Sequence, residues 1–253
     1  MLRTLSIGEV KEIEEVINEI FGDIGFIAYD GEDYESCYLG NNEDLYGISN
    51  LEELLIENKI NSYSIEKGIT KIVLIPEDKD YVIKIPITKI AYREFFYDNG
   101  EYHKGKFVIK DNVGGDYCKK EEEIYNSIDE EVKKMFAETK FLIEVNKLPI
   151  YIQEKIDFSF DNKCFNPDIF PSDRKSDMDI RTIVNSELSS KGINNLGRLN
   201  TEFCYDVMMN YGIDSFLLLI REINFWKIED LHELNIGYKN YKPMIFDYSG
   251  FEE

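Results

Sequence analysis

At 253 residues the chain is long enough for one large domain or for two lobes sharing a cleft. Hydrophobic residues make up 43% of it, with 17 Tyr and 16 Phe, which excludes a disordered polypeptide. Asp plus Glu number 50 against 29 Lys plus Arg, and the net charge of −21 disfavours direct binding of nucleic acid, which draws on cationic contacts to phosphate.

The N-terminal residues, MLRTLSIGEVKEIEEV, lack the apolar run of a signal peptide, and no stretch approaches ~18 consecutive apolar residues. The expectation is a cytoplasmic protein with no membrane partner. Residues 6–21 place Ile7, Val10, Ile13, Val16, Ile17 and Ile20 at three- and four-residue intervals behind Ser6, which predicts a capped amphipathic helix. A Gly/Asp/Asn-rich piece and a second helical segment, SNLEELLIENKI, follow, so residues 1–62 read as an N-terminal helical extension.

From Tyr63 the pattern changes to strands. TKIVLI and YVIKIPI are joined by the turn PEDKD and preceded by a loop containing Gly68, and residues 90–115 read as a strand or loop insertion of open register. The stretch YCKKEEEIYNSIDEEVKKMF carries Ile124, Ile128, Val132 and Met135 or Phe136 on one face, predicting a helix of about five turns. Two strands follow, KFLIEV and PIYIQEKID. Residues 161–200, rich in Asp, Asn, Ser and Pro, read as an irregular link before or between short helices. GIDSFLLLIREINFW then predicts a buried helix, with Asp214 as its cap and Phe216, Leu219, Ile220, Ile223 and Trp226 on one stripe. Cys37, Cys118, Cys164 and Cys204 include no C-x-x-C pair and fit reduced, structural thiols. His103 and His232 are the only imidazoles, too few for a typical zinc site.

The buried helix leads into DLHELNIGYKNYKPMIFDYSG, residues 230–250. Together with YVIKIP, the acidic helix and the Gly-containing loop, its D-x-x-x-x-N and D-Y-S-G elements resemble, in order, the motifs of the protein-kinase-like fold, which includes protein kinases and enzymes of the aminoglycoside-phosphotransferase type. The resemblance runs from about residue 63 to the last residue. It implies an α+β, two-lobed protein-kinase-like fold: a small antiparallel-sheet N-lobe over residues 63–154 and an abbreviated, mainly helical C-lobe over residues 155–253. It also implies ATP and Mg²⁺ as cofactors. Lys84, in mid-strand between Ile83 and Ile85, would hold phosphates and pair with Glu121, with Glu122 and Glu123 as register alternatives. Asp230 would orient or deprotonate an attacking hydroxyl, and Asn235 and Asp247 would supply hard oxygen ligands to Mg²⁺. Gly68 would lie over the nucleotide. Backbone groups near Gln153, Glu154 and Lys155 would meet its adenine edge. His232 fits D-L-H, a catalytic-loop version typical of small-molecule and atypical kinases.

Three departures accompany the resemblance. Only Gly68 remains of G-x-G-x-x-G, with Glu66 and Lys71 at the other two positions, and Ile228 stands where the H-R-D histidine would be. The sequence stops at Glu253, just after DYSGFEE, with no activation segment and no A-P-E. An ATP/Mg²⁺-dependent phosphotransferase is the leading expectation, and a pseudokinase or an acidic interaction or inhibitor protein is the alternative. Similarity to compact kinase-like proteins of bacteriophages implies a bacterial or phage-infected host cytoplasm, and partners that are a nucleotide and a protein partner or substrate.

Overall fold

The structure, a computed structural model, describes residues 2–21, 37–39, 45–47, 62–68, 70–87, 89–111, 115–156, 182, 185–186, 189–190, 201–228, 231 and 235–249. Over these residues the chain is mixed α and β, with a five-stranded antiparallel sheet. It forms two compact units. One lies within Leu2–Lys120 and Thr139–Gln153, the other within Glu121–Glu138 and Glu154–Glu253.

The first unit opens with helix α1, Ile7–Phe21. Ser6 and Glu9 form a reciprocal capping box: the Ser6 amide donates to Glu9 Oε2 at 2.9 Å and the Glu9 amide to Ser6 Oγ at 3.3 Å. The Arg3 guanidinium grips the same carboxylate and, with Ser6, holds it well below the usual carboxylate range. The expected apolar stripe buries Ile13, Val16, Ile17 and Ile20, whereas Ile7, in the first turn, is exposed.

That stripe does not stand apart from the strands. It shares one core with Ile72, Leu74, Ile83, Ile85, Ile150 and Ile152 of the large sheet. The sheet runs β3–β4–β5–β9–β8, comprising β3 (Tyr63–Lys67), β4 (Lys71–Pro76), β5 (Tyr81–Pro86), β8 (Thr139–Val145) and β9 (Leu148–Glu154). The segment expected as an N-terminal extension therefore supplies Leu2, Ile13, Val16, Ile17, Ile20 and Phe21 to the sheet's hydrophobic core. Asn146, in the β8–β9 turn, adds a 2.7 Å side-chain hydrogen bond to Asn18 of α1.

Two short strands, β1 (Cys37–Leu39) and β2 (Leu45–Gly47), pair antiparallel, as do two long ones, β6 (Lys89–Asp98) and β7 (Glu101–Asp111). The register left open by the sequence over 90–115 is thus that of a hairpin. Its two-residue turn is Asn99–Gly100, both at positive φ, the conformation that matches strand twist. At its tip Phe96 stacks on His103, with ring centroids 5.4 Å apart.

In the second unit the expected five-turn helix is two helices, α2 (Tyr117–Ser127) and α3 (Glu130–Lys133). The break comes from Asp129, whose carboxylate accepts from the Glu131 amide at 2.9 Å and starts a new helix. The apolar face survives the break, because Ile124, Ile128, Val132, Met135 and Phe136 are all buried in one core. Helices α4 (Thr201–Tyr211) and α5 (Ile213–Trp226) pack into it through Phe203, Val207, Phe216, Leu219, Ile220 and Ile223.

Asp214 is not the cap of α5. Gly212, at φ 87°, holds that place and Asp214 falls in the first turn, where its charge faces the positive end of the helix dipole. At the other end Lys227 adopts the left-handed conformation, the Ile228 amide reaches the Ile223 carbonyl at 3.0 Å, and Ile228 turns into the core. The unit closes with the hairpin β10 (Ile236–Lys239) and β11 (Lys242–Ile245). Among the described residues no helix is long and apolar enough to cross a membrane.

Ile17→Ala tests whether α1 is integral to the sheet. With Ile17 fully buried, the variant should lose about 2–4 kcal/mol in urea unfolding, whereas a dispensable extension would leave the transition unchanged.

Candidate functional site

In the sheet unit, register places Lys84 opposite Val73. Alternation directs Ile83 and Ile85 into the core shared with α1 and Lys84 to the other face, as the strand pattern predicts. Lys84 is nevertheless 3% exposed, and it already has a polar or electrostatic partner. Gly68 is exposed and lies in the tight turn between β3 and β4, closed by its amide donating to the Lys71 carbonyl at 2.9 Å. A side chain there would make only ordinary contact, 3.7 Å from that carbonyl, so nothing at Gly68 requires glycine. The segment read as a loop is therefore the edge strand β3 and a short turn.

In the helical unit the hairpin β10–β11 gathers the two expected metal ligands. Ile236 faces Ile245, and one step outward the Phe246 amide donates to the Asn235 carbonyl at 3.1 Å. Asn235 thus stands across from Phe246 at the open end of the hairpin, and Asp247 is the next residue along. Twelve residues separate them in sequence, and the turn at Asn240–Tyr241, both at positive φ, folds that distance away. Asn235 is buried and Asp247 half-buried.

The strand carrying Asp247 is tied down on its second side. Residues 135–137 lie parallel to β11: the Ile245 amide donates to the Met135 carbonyl at 2.8 Å and the Ala137 amide to the Ile245 carbonyl at 2.7 Å. Tyr248 continues this lacing. Its buried hydroxyl donates to the Ala137 carbonyl at 2.8 Å, and its ring meets Phe136 edge-on at 5.0 Å. Asp247 therefore sits between two fixed neighbours, Phe246 and Tyr248.

Of the three register alternatives on α2, Glu121 is fully buried, Glu122 half-buried and Glu123 exposed. Glu154 is engaged in the fold. Its amide donates to the Glu138 carbonyl at 3.1 Å, and its carboxylate accepts from the Glu138 amide at 3.1 Å and from Lys239 Nζ at 3.0 Å. Burial opposes ionisation of this carboxyl, yet its hydrogen bonds, including those from the Glu138 amide and Lys239, keep it below the ordinary glutamate value. Lys155 follows, half-buried, and Gln153, in the sheet unit, bonds Thr139 Oγ1 at 2.7 Å. Asp230, between the buried residues Ile228 and Leu231, and His232, after Leu231, lie outside the described residues.

One residue of interest was passed over in the sequence. Lys71, read only as a departure from the glycine pattern, is 4% exposed. It faces Pro86, two residues beyond Lys84 on β5, so the two lysines share a sheet face at diagonal positions. The alternation of KIVLIP against YVIKIP is compatible with the shared face but carries no sign of the burial.

Among the described residues no group of three His, Cys, Asp or Glu is gathered as metal ligands. Mg²⁺ needs fewer protein groups, because it retains water and takes phosphate oxygens, so one carboxylate and one amide oxygen are a sufficient protein share. Comparison with protein-family models, with curated proteins and with solved structures returns no match.

Two variants probe this scaffold. Tyr248→Phe should cost about 1–2 kcal/mol, because the buried Ala137 carbonyl loses its phenolic donor, read as a lower urea midpoint at unchanged slope. Lys239→Met should strand the Glu154 carboxylate. Because the folded-state pKa of Glu154 is depressed, its stabilisation is present above the unfolded-state value and is lost as the pH falls through the folded one. The deficit of the variant, about 2–3 kcal/mol at pH 7, should therefore shrink as the pH is lowered towards 3, in urea titrations run in parallel.

Proposed function

We propose that the chain is an ATP- and Mg²⁺-dependent phosphotransferase of two-lobed, protein-kinase-like fold. The observation that carries this reading is that a hairpin laced to residues 135–137 brings the backbone of Asn235, across from Phe246, within one residue of Asp247. Two hard oxygen donors carried close together in the chain on one rigid support would suit a cation that tolerates little distortion of its octahedral shell. In the proposed roles, Asn235 and Asp247 hold Mg²⁺, Lys84 holds phosphates and Asp230 orients or deprotonates the acceptor hydroxyl. Glu121 is the carboxylate partner proposed for Lys84. Lys155 and the backbone beside Glu154 are proposed to meet the adenine edge, with Gly68 over the nucleotide. Phosphoryl transfer asks a protein mainly for such positioning and charge neutralisation, and these residue types supply both.

A second reading has its own support. Gly68 makes no use of its conformational freedom, which the glycines of a triphosphate-cradling loop need so that their amides can converge. This favours a pseudokinase that binds a nucleotide or a protein partner without transfer. The charge of −21 extends that reading to an acidic interaction or inhibitor protein of phage type.

Thermal unfolding with ATP and MgCl₂ separates the readings. A nucleotide at 100-fold excess over its Kd should raise Tm by about 5 °C or more, and the shift should vanish in Lys84→Ala and in Asp247→Ala. No shift at millimolar nucleotide would sink the phosphotransferase. Given binding, phosphate transfer or autophosphorylation that Asp230→Ala abolishes marks the enzyme, and binding without transfer marks the pseudokinase.

A further inference from the structure

We propose that the outward face of helix α5 is a self-association surface, on which a second copy of this chain docks antiparallel about a two-fold axis. The inference goes beyond the phosphotransferase reading and stands whether or not the chain binds a nucleotide.

Helical periodicity gives α5 two sides with apolar residues. Phe216, Leu219, Ile220 and Ile223 turn inward to the core of the helical unit. Asp214, Leu218, Arg221 and Phe225, spaced four, three and four residues apart, form a stripe on the opposite side, and Leu217 flanks it. That spacing is the seam of a paired helix, whereas a solvated helix face carries mainly polar residues. The seam is open: Asp214 is exposed, the Arg221 side chain is 67% exposed and Phe225 73%, while Leu217 and Leu218 are half-buried at the margin of the core.

Charge along the seam selects the occupant. Reversed end for end about Leu217 and Leu218, the stripe matches itself: Asp214 meets Arg221 of a second copy, and Arg221 meets its Asp214. One two-fold contact therefore makes two ion pairs around an apolar centre built from Leu217 and Leu218 of both copies, the self-complementarity that an isologous dimer requires. Aligned in parallel and in register, Asp214 would face Asp214 and Arg221 would face Arg221, which repels. Arg221 already meets Glu222 of its own helix at 3.6 Å, but its side chain remains in water, so a second carboxylate joins this surface contact without uncovering a buried charge.

Phe225 supplies the anchor. Helical side chains lean towards the N-terminus of their helix, so its ring covers the turn before it and lies against Gly212 and Ile213 of the second copy. Gly212 is exposed with open space where a side chain would stand, and Ile213 is half-buried. On its own chain the ring meets Trp226 edge-on at 5.2 Å. Trp226 is the only tryptophan in the chain, so its emission reports on this end of the seam.

Size sets the strength. A 14-residue helix is about 21 Å long, and contact along one such helix falls below the ~1,600 Å² of a standard interface. Each copy also carries −21, a repulsion screened beyond about 8 Å at physiological ionic strength. The expected dimer is therefore weak, with a dissociation constant in the micromolar range.

Sedimentation equilibrium of the full chain over about 1–200 µM, in about 0.15 M NaCl, tests this, with Trp226 emission followed over the same range. Wild type should pass from 29.7 kDa towards twice that mass, with the emission shifting in step. Phe225→Ser, Asp214→Arg and Arg221→Asp should each weaken association at least about tenfold. An equimolar mixture of the Asp214→Arg and Arg221→Asp proteins should regain wild-type association, because only the mixed dimer restores both ion pairs. All three positions are exposed, so the variants should keep the fold, which urea unfolding checks. A monomer at every concentration overturns the proposal, as does a dimer that the three variants leave unchanged. Weakened association without rescue in the mixture overturns it too, because the antiparallel pairing is then wrong.

Discussion

Parallel pairing of residues 135–137 with strand β11 is the contact on which the helical unit depends. A four-residue strand in a two-stranded hairpin is marginal by itself, since each edge leaves a row of unpaired amides and carbonyls. Here one edge of β11 is taken by β10 and part of the other by Met135 and Ala137, so the short hairpin behaves as the middle of a three-stranded ribbon. Tyr211 braces one end of the ribbon, its hydroxyl donating to the Lys134 carbonyl at 3.3 Å, and Tyr248 closes the other. Because residues 135–137 follow directly on α3, the apolar faces of α2 and α3 and the hairpin are fixed by one set of bonds. The position of Asp247 is a by-product of that economy.

Buried charge is the second constraint. Lys71, Lys84, Glu121, Glu138, Glu154 and Asp206 are all at most 4% exposed, an unusual number of ionisable groups to withdraw from water without compensation. Where the compensation is visible it is thorough. Glu154 takes an amide and an ammonium, and Asp206 takes the Tyr238 hydroxyl at 2.6 Å. Replacing such pairs by apolar residues is often neutral or stabilising, so their presence is poor evidence for stability and better evidence for a fold shaped around specific charges.

Periodicity made much of this legible from sequence, and partners made the rest illegible. The stripes of α1 and α5, the strands β4, β5, β8 and β9 and the hairpin between Asn235 and Asp247 all follow from spacing and turn residues. What spacing does not say is which surface a stripe meets. The α1 stripe reads the same whether it caps an extension or covers a sheet, and only the register of Ile72, Leu74, Ile83 and Ile85 fixes the answer. The five-turn helix divided because one side chain, Asp129, competes with the backbone for an amide, a local event that an apolar pattern running straight through it conceals. Turns were uneven for a similar reason. Asn99–Gly100 has the residues that a tight hairpin favours, but Asn146–Lys147 and Asn240–Tyr241 place a lysine and a tyrosine at positive φ, which pattern alone would not choose. Of the candidate site, the residue types and their order were readable. The burial of Lys71 was not, because a lysine at a strand end looks solvated until its face of the sheet is known.

The charge of the whole chain bears on the proposed ligand less than it first suggests. At −21 the protein repels a polyanion at long range, yet at physiological ionic strength this field fades over about 8 Å, and the outcome is decided by the charges nearest the phosphates. In the proposed metal-binding role, those on the hairpin would be one carboxylate, Asp247, and one amide, Asn235. The amide matters. A pair of carboxylates would cancel the charge of a divalent cation and weaken its attraction for phosphate, whereas Asp247 with Asn235 would leave a net positive charge on the ion. In the proposed role, neutral Asn235, which looks like the weaker ligand, is the residue that would let an acidic protein hold an anion through a metal.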